Sequence, residues 1–186
     1  MGKTHRGRSM RGLARVAVAT VLLLSSWAIS GLAASATASS TQAQAPAPRP
    51  GIYRIVNVAS HSSLRAYHPG RPVFVSSTRE NPGPFELWKI AQSGDGFTIE
   101  NVGLSYTGGS AYTVARRTEE GEPVVTGHRP TPWSIETAGD DLYVIKAPNE
   151  DLLWNAEPPV VPRGEVKLRG ANGSDTQRWR LEPVND

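Results

Sequence analysis

An all-β fold made of three equivalent units is what this sequence predicts, on two spacings and one absence. Trp88, Trp133 and Trp179 stand 45 and 46 residues apart, each opening a Trp-x-aliphatic unit: Trp88-Lys89-Ile90, Trp133-Ser134-Ile135 and Trp179-Arg180-Leu181. Tyr53-Arg54-Ile55, Phe97-Thr98-Ile99 and Tyr143-Val144-Ile145 recur at 44 and 46. Between Gly51 and Asp186 no stretch sustains the 3.6-residue periodicity of a helix. Two independent markers on one period identify an internally repeated architecture.

Each unit divides into four short strands. The first carries the aromatic-x-Ile marker and the fourth the Trp-x-aliphatic marker. Period-2 alternation and β-branched content place the second strands around Leu64, Tyr112 and Leu153. The third strands fall on Pro72-Val73-Phe74-Val75, Pro123-Val124-Val125-Thr126 and Glu165-Val166-Lys167-Leu168. Polar turns rich in Gly, Asp and Asn, at 93–96, 138–141 and 170–175, separate strands with residues that tolerate positive φ. Twelve short strands in three pseudo-repeats of about 45 residues describe a β-trefoil, in which six strands close a barrel and six form hairpins that cap it, so few edges stay open. The lobes are 51–92, 93–137 and 138–186. Alternation turns the repeated aromatic and isoleucine side chains inward. Each repeated indole then buries about 150–250 Å², an upper bound of about 4–6 kcal/mol.

Ahead of this domain, Lys3, Arg6, Arg8, Arg11 and Arg15 precede the uncharged, mostly apolar run Val16 to Ala33, and small-residue cleavage options follow at Ala34-Ser35-Ala36 and Ala36-Thr37-Ala38. Residues 1–37 read as an export signal, because Ser25, Ser26, Ser30 and Gly31 interrupt a run that a membrane anchor needs to be about 20 residues long. Residues 38–50, rich in Ala and Pro, read as a disordered leader. The expected product is a secreted monomer, residues 51–186 forming the trefoil, with no stable membrane anchor after cleavage. All 17 acidic residues lie beyond residue 37 and five of the 20 basic ones lie before it, leaving 15 basic against 17 acidic residues. Without a basic stripe to displace counterions, nucleic acid is excluded as a partner. The absence of cysteine removes disulfides, thiol nucleophiles and Cys-ligated metal, so apolar burial must supply the stability.

The junctions Trp-x-Ile, polar turn, Gly-Phe-x-Ile, as in Trp88 to Ile99, together with Gly51-Ile-Tyr-Arg-Ile-Val-Asn57 and the Pro-Val strands at 72–75 and 123–126, resemble the cospin-type serine-protease-inhibitor family of fungi. The resemblance covers Gly51 to about Pro183. It implies a β-trefoil that blocks a secreted trypsin-like or subtilisin-like protease through an exposed loop bearing a basic residue. Arg117 with Thr118, Arg71, and Arg163 in a loop stiffened by Pro158, Pro159 and Pro162 are the candidate contacts. Pro72 directly after Arg71 lacks the N–H of a docked substrate. A second resemblance, of Asp175-Thr-Gln-Arg-Trp-Arg-Leu181 to the Gln-x-Trp motif of ricin-type lectins, occurs once, the equivalent places being Glu86-Leu87-Trp88 and Thr131-Pro132-Trp133. It implies a glycan partner, for which Trp154 offers a stacking face and Asn155, Asn172 and Asp175 polar groups; the competing reading places Trp154 in the core.

No enzyme pattern is present. His61, His68 and His128 stand without metal-ligand spacing, and the acidic pairs Glu119-Glu120 and Asp140-Asp141 diverge on extended chain. Gly103 to Gly108 lacks the second glycine of a nucleophile elbow, which makes Ser105 a turn residue. Neither a cofactor nor a metal is expected. The sequon Asn172-Gly173-Ser174 suits a tight turn better than a glycosylation site.

Overall fold

The computed structural model describes residues 47–77, 81–109, 111–158 and 163–184. The chain divides into two units, Met1–Thr41 and Gln42–Asp186, and every described residue belongs to the second. The expected export signal, most of the expected leader, and Pro159 and Pro162 lie outside the described residues.

Twelve strands form among the described residues, four for each expected lobe. The first four are β1 (Gly51–Asn57), β2 (Ser62–Arg65), β3 (Phe74–Ser77) and β4 (Leu87–Ser93). Next come β5 (Gly96–Asn101), β6 (Tyr112–Val114), β7 (Val125–Gly127) and β8 (Ser134–Thr137). The last are β9 (Leu142–Lys146), β10 (Leu152–Ala156), β11 (Gly164–Gly170) and β12 (Trp179–Pro183). One short helix, α1 (Val102–Tyr106), interrupts the pattern after β5. Six strands pair around a closed ring, β1 to β4, β5, β8, β9, β12 and back to β1. The other six make the hairpins β2–β3, β6–β7 and β10–β11.

The register explains why the two sequence markers share a period. Tyr53 lies opposite Trp88, Phe97 opposite Trp133 and Tyr143 opposite Trp179, so each lobe's opening aromatic is the ladder partner of its own tryptophan. The aliphatic positions close the ring in the same way, lobe to lobe: Ile90 with Ile99, Ile135 with Ile145, Leu181 with Ile55. A change of spacing at either marker would break a pair, since a one-residue slip sends every side chain to the opposite face. At the β5–β8 closure Phe97 and Trp133 exchange backbone hydrogen bonds of 2.8 and 2.9 Å. Gly96 permits that approach, because a Cβ there would lie 2.8 Å from the Trp133 carbonyl oxygen.

Trp88, Trp133 and Trp179 have no solvent exposure, and each indole N–H donates to a backbone carbonyl of its lobe's second strand. The acceptors are Leu64, Thr113 and Trp154 at 3.0, 3.3 and 3.3 Å. The equivalent inward positions are therefore Leu64, Thr113 and Trp154. The expected centres Tyr112 and Leu153 are one residue early: the buried Thr113 is small and polar and hides the alternation, and Leu152, Leu153 and Trp154 are apolar in succession. At the capped end the third strands meet in a cycle of hydrogen bonds, Val73 N–H to Val124 O, Val124 N–H to Val166 O and Val166 N–H to Val73 O, at 2.9, 2.9 and 3.1 Å. All three valines are fully buried.

Candidate functional site

The loop after the first strand of each lobe lies against the last strand of the preceding one, and the three loops differ. Beside the second lobe's loop, Lys89 of β4 stands opposite Glu100 of β5, and Ile52 of β1 opposite Lys89, forming a row across the outer face of the barrel. Above this row sits α1. Asn101 caps it, its side-chain oxygen accepting from the Leu104 N–H at 3.0 Å, while its amide donates to the Phe85 carbonyl at 3.0 Å. Gly103 lies flat on Phe85, where an added Cβ would fall 2.5 Å from the ring. Leu104 plugs into the core at 2% exposure. The helix then stops: Gly109 N–H bonds to the Leu104 carbonyl at 3.1 Å and Gly108 takes φ +69.

With Leu104 anchored inward, Tyr106 two residues later faces outward at 81% exposure, the one large exposed apolar or aromatic side chain among the described residues. It overhangs a groove of 520 Å³ lined also by Ile52, Lys89, Ala91, Glu100 and Ser105. The Ser105 hydroxyl donates to the Glu100 carboxylate at 3.0 Å. Ser105 is thus a helix residue rather than the turn residue expected from sequence. The groove offers an aromatic face beside a carboxylate, a hydroxyl and an ammonium, a combination suited to a ligand with one apolar and one polyhydroxylated side.

The other two lobes do not repeat it. In the third, a depression of 460 Å³ includes Ser134, Glu136 and Lys146 but no aromatic side chain. Lys146 spans it to Asp151 at 2.7 Å. The hydrogen bond between them lowers the Asp151 pKa and raises that of Lys146. In the first lobe the loop is strapped down, Val58 N–H to the Arg178 carbonyl at 3.0 Å and Ala59 N–H to that of Asp175 at 3.2 Å.

The sugar contacts expected from sequence do not assemble. Trp154 has no exposure and sits edge-on between Trp133 and Trp179, at ring distances of 5.0 and 6.2 Å. It therefore has no free face and fills the core position equivalent to Leu64. Asn155 is 7% exposed. Its amide donates to Glu157 at 3.0 Å and its oxygen accepts from the Thr176 hydroxyl at 2.7 Å. Glu157 in turn holds Arg169 through two hydrogen bonds, and the Arg169 guanidinium lowers the Glu157 pKa. Asn172 closes a turn by accepting from Ser174 N–H at 2.9 Å, with Gly173 at φ +71. Asp175 pairs with Arg178 at 3.0 Å.

The arginines expected to face a protease have separate fates. Arg117 is clamped between Glu119 at 2.8 Å and Glu122 at 3.1 Å, with Thr118 exposed beside it. The Arg71 carbonyl accepts from Thr126 N–H at 3.1 Å. Arg71 and Arg163, 92 residues apart in the chain, line one groove of 360 Å³. Among the described residues no three His, Asp or Glu side chains gather as a metal-binding set.

Solved structures with this architecture align over most of the chain at low identity. A ricin B-like lectin of Macrolepiota procera, solved in complex with lactose, aligns with a TM-score of 0.64 at 17% identity over 75% of this chain and 99% of that one. The Rhizoctonia solani agglutinin gives 0.63 at 19%, over 75% and 99%. ThreeFoil, a designed 3-fold symmetric protein, gives 0.61 at 23%, over 72% and 99%. No protein-family model and no curated protein sequence matches the chain. The ring, the hairpins and these neighbours together establish an all-β, β-trefoil-like fold similar to that of ricin B-like lectins.

Proposed function

We propose that the protein is a secreted carbohydrate-binding module without enzymatic activity, and that it binds glycan in the groove beneath Tyr106. The observation that carries this reading is the outward Tyr106 ring beside Glu100, Ser105 and Lys89. A pyranose presents C–H groups on one face and hydroxyls around its rim, so the ring takes the face while the polar groups take the rim. The lactose-bound lectin neighbour supports the same class of ligand. The protease-inhibitor reading has less support, because Arg117 is already paired with two carboxylates and the Arg71 carbonyl is engaged by Thr126.

A glycan array followed by calorimetry on the best hits tests the reading. Binding that weakens about tenfold or more in Tyr106→Ala, at unchanged tryptophan fluorescence, is the expected result, a loss of about 1.4 kcal/mol. An array with no hits sinks it. Full binding retained by Tyr106→Ala moves the site elsewhere.

A further inference from the structure

We propose that the groove between Arg71 and Arg163 is an anion subsite, and that it makes acidic saccharides, carrying a carboxylate or a sulfate ester, the preferred ligand class. This inference rests on the carbohydrate reading but uses a different part of the surface. The groove is lined by Tyr67, His68, Arg71, Phe74, Arg163 and Glu165. Pairing of β3 with β11, Phe74 opposite Glu165, brings its two sides together.

The backbone that carries Arg71 and the guanidinium of Arg163 are each held in place. His68-Pro69-Gly70-Arg71 is a tight turn closed by Arg71 N–H to the His68 carbonyl at 3.4 Å, with Pro at the second position and Gly70 at φ +72. The Thr126 hydroxyl staples this turn, donating to the His68 carbonyl at 3.0 Å and accepting from Gly70 N–H at 2.9 Å. Arg163 lies over the Phe74 ring at 4.5 Å and near Tyr67 at 5.9 Å. Tyr67 packs tilted on Phe74 and edge-on to Phe85, and its hydroxyl oxygen accepts from Arg65 at 3.3 Å. Stacking on an aromatic face orients a guanidinium without consuming its N–H donors.

Charge gives the subsite its sign. Neither Arg71 nor Arg163 forms an ion pair with any described residue. Glu165, the groove's one carboxylate, has Lys167 at 3.7 Å. A stacked Arg163 and an Arg71 whose backbone is fixed in a stapled turn, against one partly compensated carboxylate, favour an anion, and a planar fork of donors suits carboxylate and sulfate oxygens alike.

Calorimetry with three oligosaccharides of equal length tests this: neutral galactose-based, galacturonate-based and sulfated. The wild-type protein should bind at least one acidic oligosaccharide about tenfold tighter than the neutral one, with the preference shrinking in high salt. Which acidic arm gains separates carboxylate from sulfate recognition. Arg71→Gln with Arg163→Gln should erase the preference and leave neutral binding intact, whereas Glu165→Gln should enlarge it. A wild-type protein that binds the neutral sugar without preferring either acid overturns the inference and leaves the carbohydrate reading standing. So does an acid preference that survives the double arginine substitution. Absence of binding to all three overturns this inference, while the carbohydrate reading stands or falls on the array.

Discussion

Two asparagines, Asn57 and Asn101, close the first strands of the first two lobes, and the third lobe has Ala147 in that place. Both are fully buried, and each amide donates to carbonyls of a 3-10 turn on the approach to a tryptophan. Asn101 reaches the turn Pro84–Glu86 and Asn57 the turn Asp175–Gln177. Where Ala147 replaces them no such turn forms before Trp133, and Pro130 and Pro132 occupy the approach instead. Within the turns, Gln177 bonds the Gly170 carbonyl and the Asn172 N–H at 2.8 and 2.9 Å. Its counterpart Glu86 meets Arg65 at 3.1 Å, both 4% exposed or less, an arrangement in which losing one partner strands the other's charge. Glu157 is the residue whose titration reaches stability. Its carboxylate is held below the ordinary glutamate value of 4.5, chiefly by the Arg169 hydrogen bond. A depressed folded pKa means the stabilisation is complete above that ordinary value and is lost as pH falls through the folded one. The stability gap between wild type and Glu157→Gln, read from urea midpoints, should hold constant from pH 7 to about 5 and narrow toward pH 3. A gap that does not change with pH would mean Arg169 acts only through packing.

At the scale of elements, α1 is the departure from a pure strand pattern, and its causes are local: Asn101 at the cap, Gly103 against Phe85, Leu104 in the core, Gly108 and Gly109 at the stop. Those cap and stop signals stood in the sequence. Five residues, however, are too few to show helical periodicity. Gly103→Ala should drive a methyl into the Phe85 ring and destabilise the protein by about 1–3 kcal/mol. Because Leu104 and Tyr106 are set by this helix, the same substitution should weaken the proposed glycan binding at temperatures where the domain remains folded. Wild-type affinity and stability in that variant, by calorimetry and thermal melting, would show that the helix seats elsewhere.

Over the whole molecule, the lobes share one core. Trp133 and Trp154 meet edge to face at 5.0 Å across a lobe boundary, and the valine cycle takes one residue from each lobe. No lobe buries its own tryptophan alone, so thermal unfolding followed by near-UV and far-UV circular dichroism should show one coincident transition. Two separated transitions would contradict a shared core. What the sequence by itself determined was the repeat, the strand count and the burial of the three marker tryptophans, because ladder partners at constant separation leave a period in one dimension. The tertiary structure alone decided that Trp154 is core rather than surface, that Arg117 is clamped, and that Arg71 and Arg163 share a groove. Those outcomes depend on which loops the threefold ring brings together, and contacts between distant segments leave no spacing along the chain.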